Sequence, residues 1–169
     1  AQILAQAAQS LERAGAELIL ICTNTMHKVA PQVQASVSIP LLHIADATAD
    51  ALEEAHISTV ALLGTKYTMC ETFYTNKLIQ RGIQVLIPDE ADAELVNRVI
   101  FQELCLGQHK DSSKAEFLRI INALGAQGAQ GVILGCTEIG LLISQSATAL
   151  PIFDTTLIHA ERAVRIALQ

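Results

Sequence analysis

Two short stretches place thiol, hydroxyl and amide side chains where chemistry is commonly done. Leu18 to His27 reads L-I-L-I-C-T-N-T-M-H, an apolar run that ends abruptly in polar groups. Gly131 to Gly140, G-V-I-L-G-C-T-E-I-G, repeats the idea more than a hundred residues later. Such runs suit parallel strands buried on both faces, and ligands of open α/β sheets gather beyond the carboxyl ends of their strands. Two Cys-Thr steps at two strand tips call for a joint explanation.

Cys136 follows Gly135, which lets backbone approach closely, and it precedes a predicted helix. A thiol there is expected to gain thiolate character from the helix dipole. A small buried hydrophobe would suit the same position. At the first tip, strand alternation sends neighbours to opposite faces. If Cys22 belongs to the packed series of Leu18 and Leu20, it is a core residue and Thr23 is the first side chain free to enter a cleft. Asn24 and Thr25 either cap the following helix or bind a carboxylate with its first amides. Thr65 after Gly64 and Thr137 after Cys136 are tips of the same type, and four together suggest a cradle for a small anion. Glu138 either orients a ligand ammonium and tunes the thiol, or is a solvated first-turn carboxylate. His27, His43 and His159 lack metal-ligand spacing and are expected to be structural, as are Cys70 and Cys105.

These residues need a scaffold, and the pattern supplies one. Apolar strands are expected at 18–22, 39–44, 59–64, 84–87, 132–134 and 151–153, alternating with helical stretches. That order indicates βαβ units with parallel sheets and all strand tips on one side. Pro31 interrupts the helix expected over 26–35. In both copies a helix end leads to a strand, a Cys-Thr tip, a short helix and a Pro-led strand, P-L-L-H-I-A-D from Pro40 and P-I-F-D-T-T from Pro151. This repeat predicts two similar parallel-sheet α/β domains facing each other across a cleft, one formed by 1–38 with 147–169 and the other by 39–146.

Composition narrows the function classes. The net charge of −6 leaves no basic stripe for phosphates, so nucleic acid is not an expected partner. No apolar run reaches the ~18 residues that span a bilayer. The 4 cysteines show neither C-x-x-C nor zinc spacing, which points to reduced thiols and a cytoplasmic location. The chain opens with an amphipathic helical pattern, A-Q-I-L-A-Q-A-A-Q-S-L, where a doubly wound domain normally opens with a strand. A first strand and its loop are therefore expected to be missing.

C-T-N-T-M-H-K at 22–28, L-L-G-T-K-Y-T-M at 62–69 and G-C-T-E-I-G at 135–140 together resemble the aspartate/glutamate racemase family, over essentially the whole chain. The resemblance implies two similar α/β domains with the site between them and the first domain incomplete at its start. It also implies racemisation without a cofactor or metal. One thiol removes the α-proton from one face of a small dicarboxylic amino acid, and a second delivers a proton to the other. A homodimer is expected on the same ground. Relatives carry Cys-Asn-Thr at the first tip, and Thr23-Asn24-Thr25 matches it, so Thr23 takes the place of the first catalytic cysteine. Cys136 is then the principal base and Thr23 an impaired partner, with turnover kinetically favouring the L enantiomer. Asn24, Thr25, Thr65 and Thr137 would hold carboxylates, with Glu138 close by. Relatives open with a strand and a Gly-rich, Trp-containing loop that this chain lacks. Cys105 stands where some aspartate-selective relatives have a lysine, which widens the expected substrate range. The alternatives are a small-carboxylate-binding protein without catalysis, and a related thiol-dependent isomerase or decarboxylase. Deuterium exchange at the α-carbon separates them.

Overall fold

In the computed structural model, which describes residues 1–168, the run T-V-A-L-L-G forms strand β3 (Thr59–Gly64) at the centre of the larger sheet. That sheet is parallel and ordered β4 (Gln84–Leu86), β3, β5 (Val132–Gly135) and β6 (Ile152–Asp154). Val60 to Leu63 and Val132 to Leu134 are buried without a polar interruption, as strands covered on both faces must be. Helices α6 (Glu90–Gln102) and α7 (Asp111–Ala126) pack on each other and on β3, burying Val96, Ile100, Phe117 and Ile121. Helix α3 (Ile44–Glu54) lies between α5 (Thr72–Ile79), which buries Tyr74 and Leu78, and α9 (Thr155–Ala167). The helical stretch expected after Thr65 is two helices, α4 (Lys66–Cys70) and α5, broken at Glu71, whose backbone is extended.

The smaller sheet pairs β1 (Ile19–Leu20) with β2 (Leu41–Leu42), also parallel. Its own core is Ala8, Ile19, Ile21, Ala30 and Val33, covered by α1 (Gln2–Arg13) and α2 (Ala30–Gln34). Pro31 does not break a helix in its middle. It sits in the first turn of α2, where its missing N–H costs nothing, and a 3-10 turn over Thr25–Val29 fills the gap before it.

Two sequence expectations are corrected here. The buried series of β1 is Ile19 and Ile21, with Leu18 and Leu20 half-buried, so Cys22 is exposed rather than a core residue. Strand pairing also departs from the expected division into 1–38 with 147–169 and 39–146. Leu41–Leu42 pairs with β1, and Ile152–Asp154 pairs with β5. The reason is local: each Cys-Thr strand pairs with the Pro-led strand that directly follows it, the shortest crossover available. The C-terminal helix reaches across, since His159 on α9 bonds the Leu42 carbonyl of the smaller sheet.

The larger sheet is closely packed at its carboxyl edge. Gly64 and Gly135 are paired across β3 and β5. A Cβ on Gly64 would lie 2.9 Å from the Gly135 carbonyl oxygen, and one on Gly135 would lie 2.9 Å from Leu62 Cδ1. Gly135→Ala therefore overpacks the sheet and should lower stability by about 1–3 kcal/mol. Chemical denaturation of the variant beside the parent measures it.

Candidate active site

The carboxyl ends of β1, β3 and β5 open into one cleft of about 360 Å³. Thr23, Asn24 and Thr25 reach it from β1, Thr65 from β3, and Cys136, Thr137 and Glu138 from β5, so all seven sequence-predicted site residues are brought together. The parallel order requires this, because every crossover returns the chain to the same side of the sheet.

Each side chain has a definite local role. Thr65 caps α4, its Oγ1 accepting from the Thr68 amide at 3.3 Å, and the same oxygen lies 3.1 Å from Thr25 Oγ1. The first and second tips are thus joined hydroxyl to hydroxyl. Asn24 is 3 % exposed and its Nδ2 donates to Thr155 Oγ1 at 3.0 Å. Thr155 passes its single hydroxyl proton to the Leu134 carbonyl at 2.9 Å. This chain of bonds sets the amide orientation, because Thr155 has no second proton for Asn24. The Asn24 Oδ1 is buried and has no hydrogen-bond partner among the described residues. Asn24 therefore keeps an acceptor that suits an ammonium, beside a second Nδ2 proton that suits a carboxylate.

At the third tip one carboxylate collects two protons. Glu138 Oε2 accepts from the Cys136 thiol at 2.9 Å and from Thr137 Oγ1 at 2.6 Å. Burial pushes the Cys136 thiol up to about 12, and the bond to Glu138 adds to the rise. The expected lowering by a helix dipole is overturned. The following helix, α8 (Ile139–Leu142), is a single turn that starts beyond Glu138, too short and too far to outweigh burial beside a carboxylate. For Glu138, burial works upward, but the bonds from Cys136 and Thr137 outweigh it and hold its pKa below the usual value. The resting pair is a thiol and a carboxylate.

Sequence reasoning missed part of the wall. Cys105, expected to pack, is exposed and lines the cleft with Met26, Tyr67, Ile100 and Phe101. Burial and the nearby Glu138 both push the Cys105 thiol upward. Cys70, also expected to pack, is exposed. Among the described residues lining the cleft, Glu138 is the one charged side chain. No group of three His, Cys, Asp or Glu placed to hold a metal ion occurs among the described residues.

The comparisons with known proteins agree with this fold. A family model described as Asp/Glu/Hydantoin racemase matches residues 1–163. The chain belongs to the Asp/Glu/Hydantoin racemase family. The crystal structure of a candidate Asp/Glu racemase from Yersinia pestis is 51% identical, with a TM-score of 0.95 over 99% of this chain and 74% of that one. An aspartate racemase homologue from Pyrococcus horikoshii is 40% identical, with a TM-score of 0.90 over the same shares, 99% and 74%. The broad specificity amino-acid racemase RacX of Bacillus subtilis is 26% identical over 157 residues, 93% of this chain and 67% of RacX. This member of the family therefore spans about two thirds to three quarters of the length of these relatives. No helix among its described residues is long and apolar enough to cross a membrane.

Behind the Thr23–Thr25 tip, three imidazoles cluster. The His27 ring lies 4.5 Å from that of His43 and 5.7 Å from that of His159, centroid to centroid. His43 Nδ1 accepts from the Ala45 amide at 3.1 Å, capping α3, and His159 donates to Leu42. Burial is the largest cause of their depressed pKa values, about 4 for His27 and about 3 for His43. Both lie below the ordinary 6.5, so the unfolded chain takes up protons first as pH falls. The stability linked to these two groups is complete above about pH 6.5 and is lost as pH falls through about 4 and 3. Denaturant midpoints should fall between pH 7 and pH 4.5. Separately, the raised thiol pKa predicts that iodoacetamide modifies Cys136 slowly at pH 7, with a rate still climbing at pH 10. A plateau below pH 8 in peptide mass mapping would contradict it.

Proposed function

We propose that the chain catalyses proton exchange and inversion at the α-carbon of an amino acid, an amino-acid racemase working without a cofactor. The observation that carries this reading is the Cys136 thiol bonded to the Glu138 carboxylate in a cleft whose other wall is the Thr23–Thr25 tip. A racemase needs a strong base on one face of the α-carbon and a proton source on the other.

The proton that Cys136 must shed already has a receiver. Transfer to Glu138 Oε2 leaves a thiolate and a neutral carboxylic acid, a redistribution favoured by a substrate ammonium that sits closer to the sulfur than to the carboxyl group. The thiolate then takes the α-proton, the Thr23 hydroxyl, directly or through a water, protonates the opposite face, and solvent carries the Glu138 proton back to the Thr23 oxygen. The Asn24 Oδ1 accepts from the ammonium. The Thr25 and Thr65 hydroxyls and Thr137 meet the α-carboxylate. A threonine hydroxyl gives a proton to a carbanion far more readily than it removes one from carbon, so catalysis is kinetically one-sided, with L as the faster starting enantiomer. The overall equilibrium stays at parity.

Aspartate and glutamate are the first substrates to try, given the family. The cleft also favours a broader range, because Ile100, Phe101 and Cys105 form part of its wall and no lysine or arginine is among its described lining residues. A distal carboxylate would have Glu138 as its one charged neighbour among the described lining residues, whereas a neutral side chain would pack on apolar surface.

In heavy water, deuterium should enter the α-carbon of L-aspartate or of a neutral L-amino acid such as methionine. Cys136→Ala should lower that exchange by about 10³-fold or more, the scale of losing a general base with its nucleophile-like precision. Binding without any exchange would leave a carboxylate-binding protein and end the racemase reading. Initial rates from the L enantiomers should exceed those from the D, and Thr23→Cys should raise the D rates selectively. Chiral chromatography of quenched time points reads both.

A further inference from the structure

We infer that His27 is the positioning residue for Thr23: its ring holds the Thr23 carbonyl and thereby aims the hydroxyl across the cleft. This rests on the reading of Thr23 as the group facing Cys136. His27 is 1 % exposed, and both ring nitrogens are committed. Its Nε2 lies 3.1 Å from the Ile44 amide nitrogen, and its Nδ1 lies 2.8 Å from the Thr23 carbonyl oxygen. A backbone amide can only donate, so Nε2 is the acceptor and the neutral ring carries its proton on Nδ1. That proton is given to Thr23.

The bond acts on orientation because of where it falls. The Thr23 carbonyl belongs to the peptide joining Thr23 to Asn24, so holding it fixes the backbone on the carboxyl side of Thr23 and the amino side of Asn24. The His27 amide adds a second tie, donating to the Asn24 carbonyl at 3.1 Å. The loop between β1 and α2 has no ladder bonds of its own to set these torsions. Burial depresses the His27 pKa to about 4, so the ring stays in the neutral state that this arrangement requires. The ring is braced from behind by His43 and by His159, the latter bonded to Leu42. An imidazole serving only as core filling would not need one nitrogen on the tip and the other on the start of α3.

Two substitutions of similar bulk separate the two bonds. Asn places its amide nitrogen near the Nδ1 position, so His27→Asn keeps the donor to Thr23 and loses the acceptor for Ile44. Gln places its amide oxygen near the Nε2 position, so His27→Gln keeps the acceptor for Ile44 and loses the donor to Thr23. Exchange with retention needs only Cys136 and solvent, whereas inversion also needs Thr23. His27→Gln should therefore lower the ratio of inversion to exchange by about 10-fold or more, since misplacement by about 1 Å can cost 10²-fold. His27→Asn should hold the ratio within about 2-fold of the parent, and amide exchange over residues 23–27 should quicken in the Gln variant alone. Equal ratios and equal amide protection in the two variants would overturn the assignment. Nitrogen NMR of the parent decides it without any variant: a proton on Nδ1 is required, and one on Nε2 refutes it. A parent that exchanges no deuterium would end the racemase reading, while the amide exchange and the tautomer would still decide whether His27 holds the tip.

Discussion

The contact between the ends of β3 and β5 governs everything at the cleft. Gly64 and Gly135 sit opposite each other with no room for a Cβ on either, so the strands stay in register to their last residue. Thr65 and Cys136 therefore leave the sheet side by side. A side chain at either glycine would push the backbones apart and move the thiol away from the capped start of α4. The buried runs Val60–Leu63 and Val132–Leu134 anchor this edge from behind, and the helices that cover them set how little it can move.

Against that rigid wall the opposite tip is held by polar bonds. The smaller sheet has two residues in each strand and a small core of its own, so it cannot position Thr23 by packing alone. Instead, the Thr25–Thr65 hydroxyl contact, the Asn24–Thr155–Leu134 chain and the His27 ring tie the tip to β3, β5, α3 and α9. Hydrogen bonds are directional where apolar packing is not, which suits a loop with so little packing of its own.

Much of this arrangement could be read from residue patterns, and the part that could not has clear causes. The alternation of apolar runs and amphipathic helices implies parallel sheets, and the two Cys-Thr steps imply a shared site, because both signals are local. The burial of β1 was misjudged because four consecutive apolar residues, Leu18 to Ile21, carry no period from which to choose a face. The thiol was expected to be acidic because a helix follows it, yet a helix of one turn has little dipole and the Glu138 side chain folds back onto the sulfur. The link between Asn24 and Thr155 spans 131 positions, and nothing in either neighbourhood announces it. Without that link, the unpaired acceptor of Asn24 is not legible.

That link also has a consequence for how the molecule is made. β1, β2 and their helices leave the ribosome before the larger sheet, but Asn24, His27 and Leu42 wait for Thr155 and His159, which are synthesised more than a hundred residues later. Contacts so distant in sequence close slowly, since the chain entropy of a long loop must be overcome before the bonds form. The larger sheet can condense around β3 while the Thr23 tip is still loose. Helix α9 then supplies Thr155 and His159, which complete the set of bonds that holds the tip against the larger sheet.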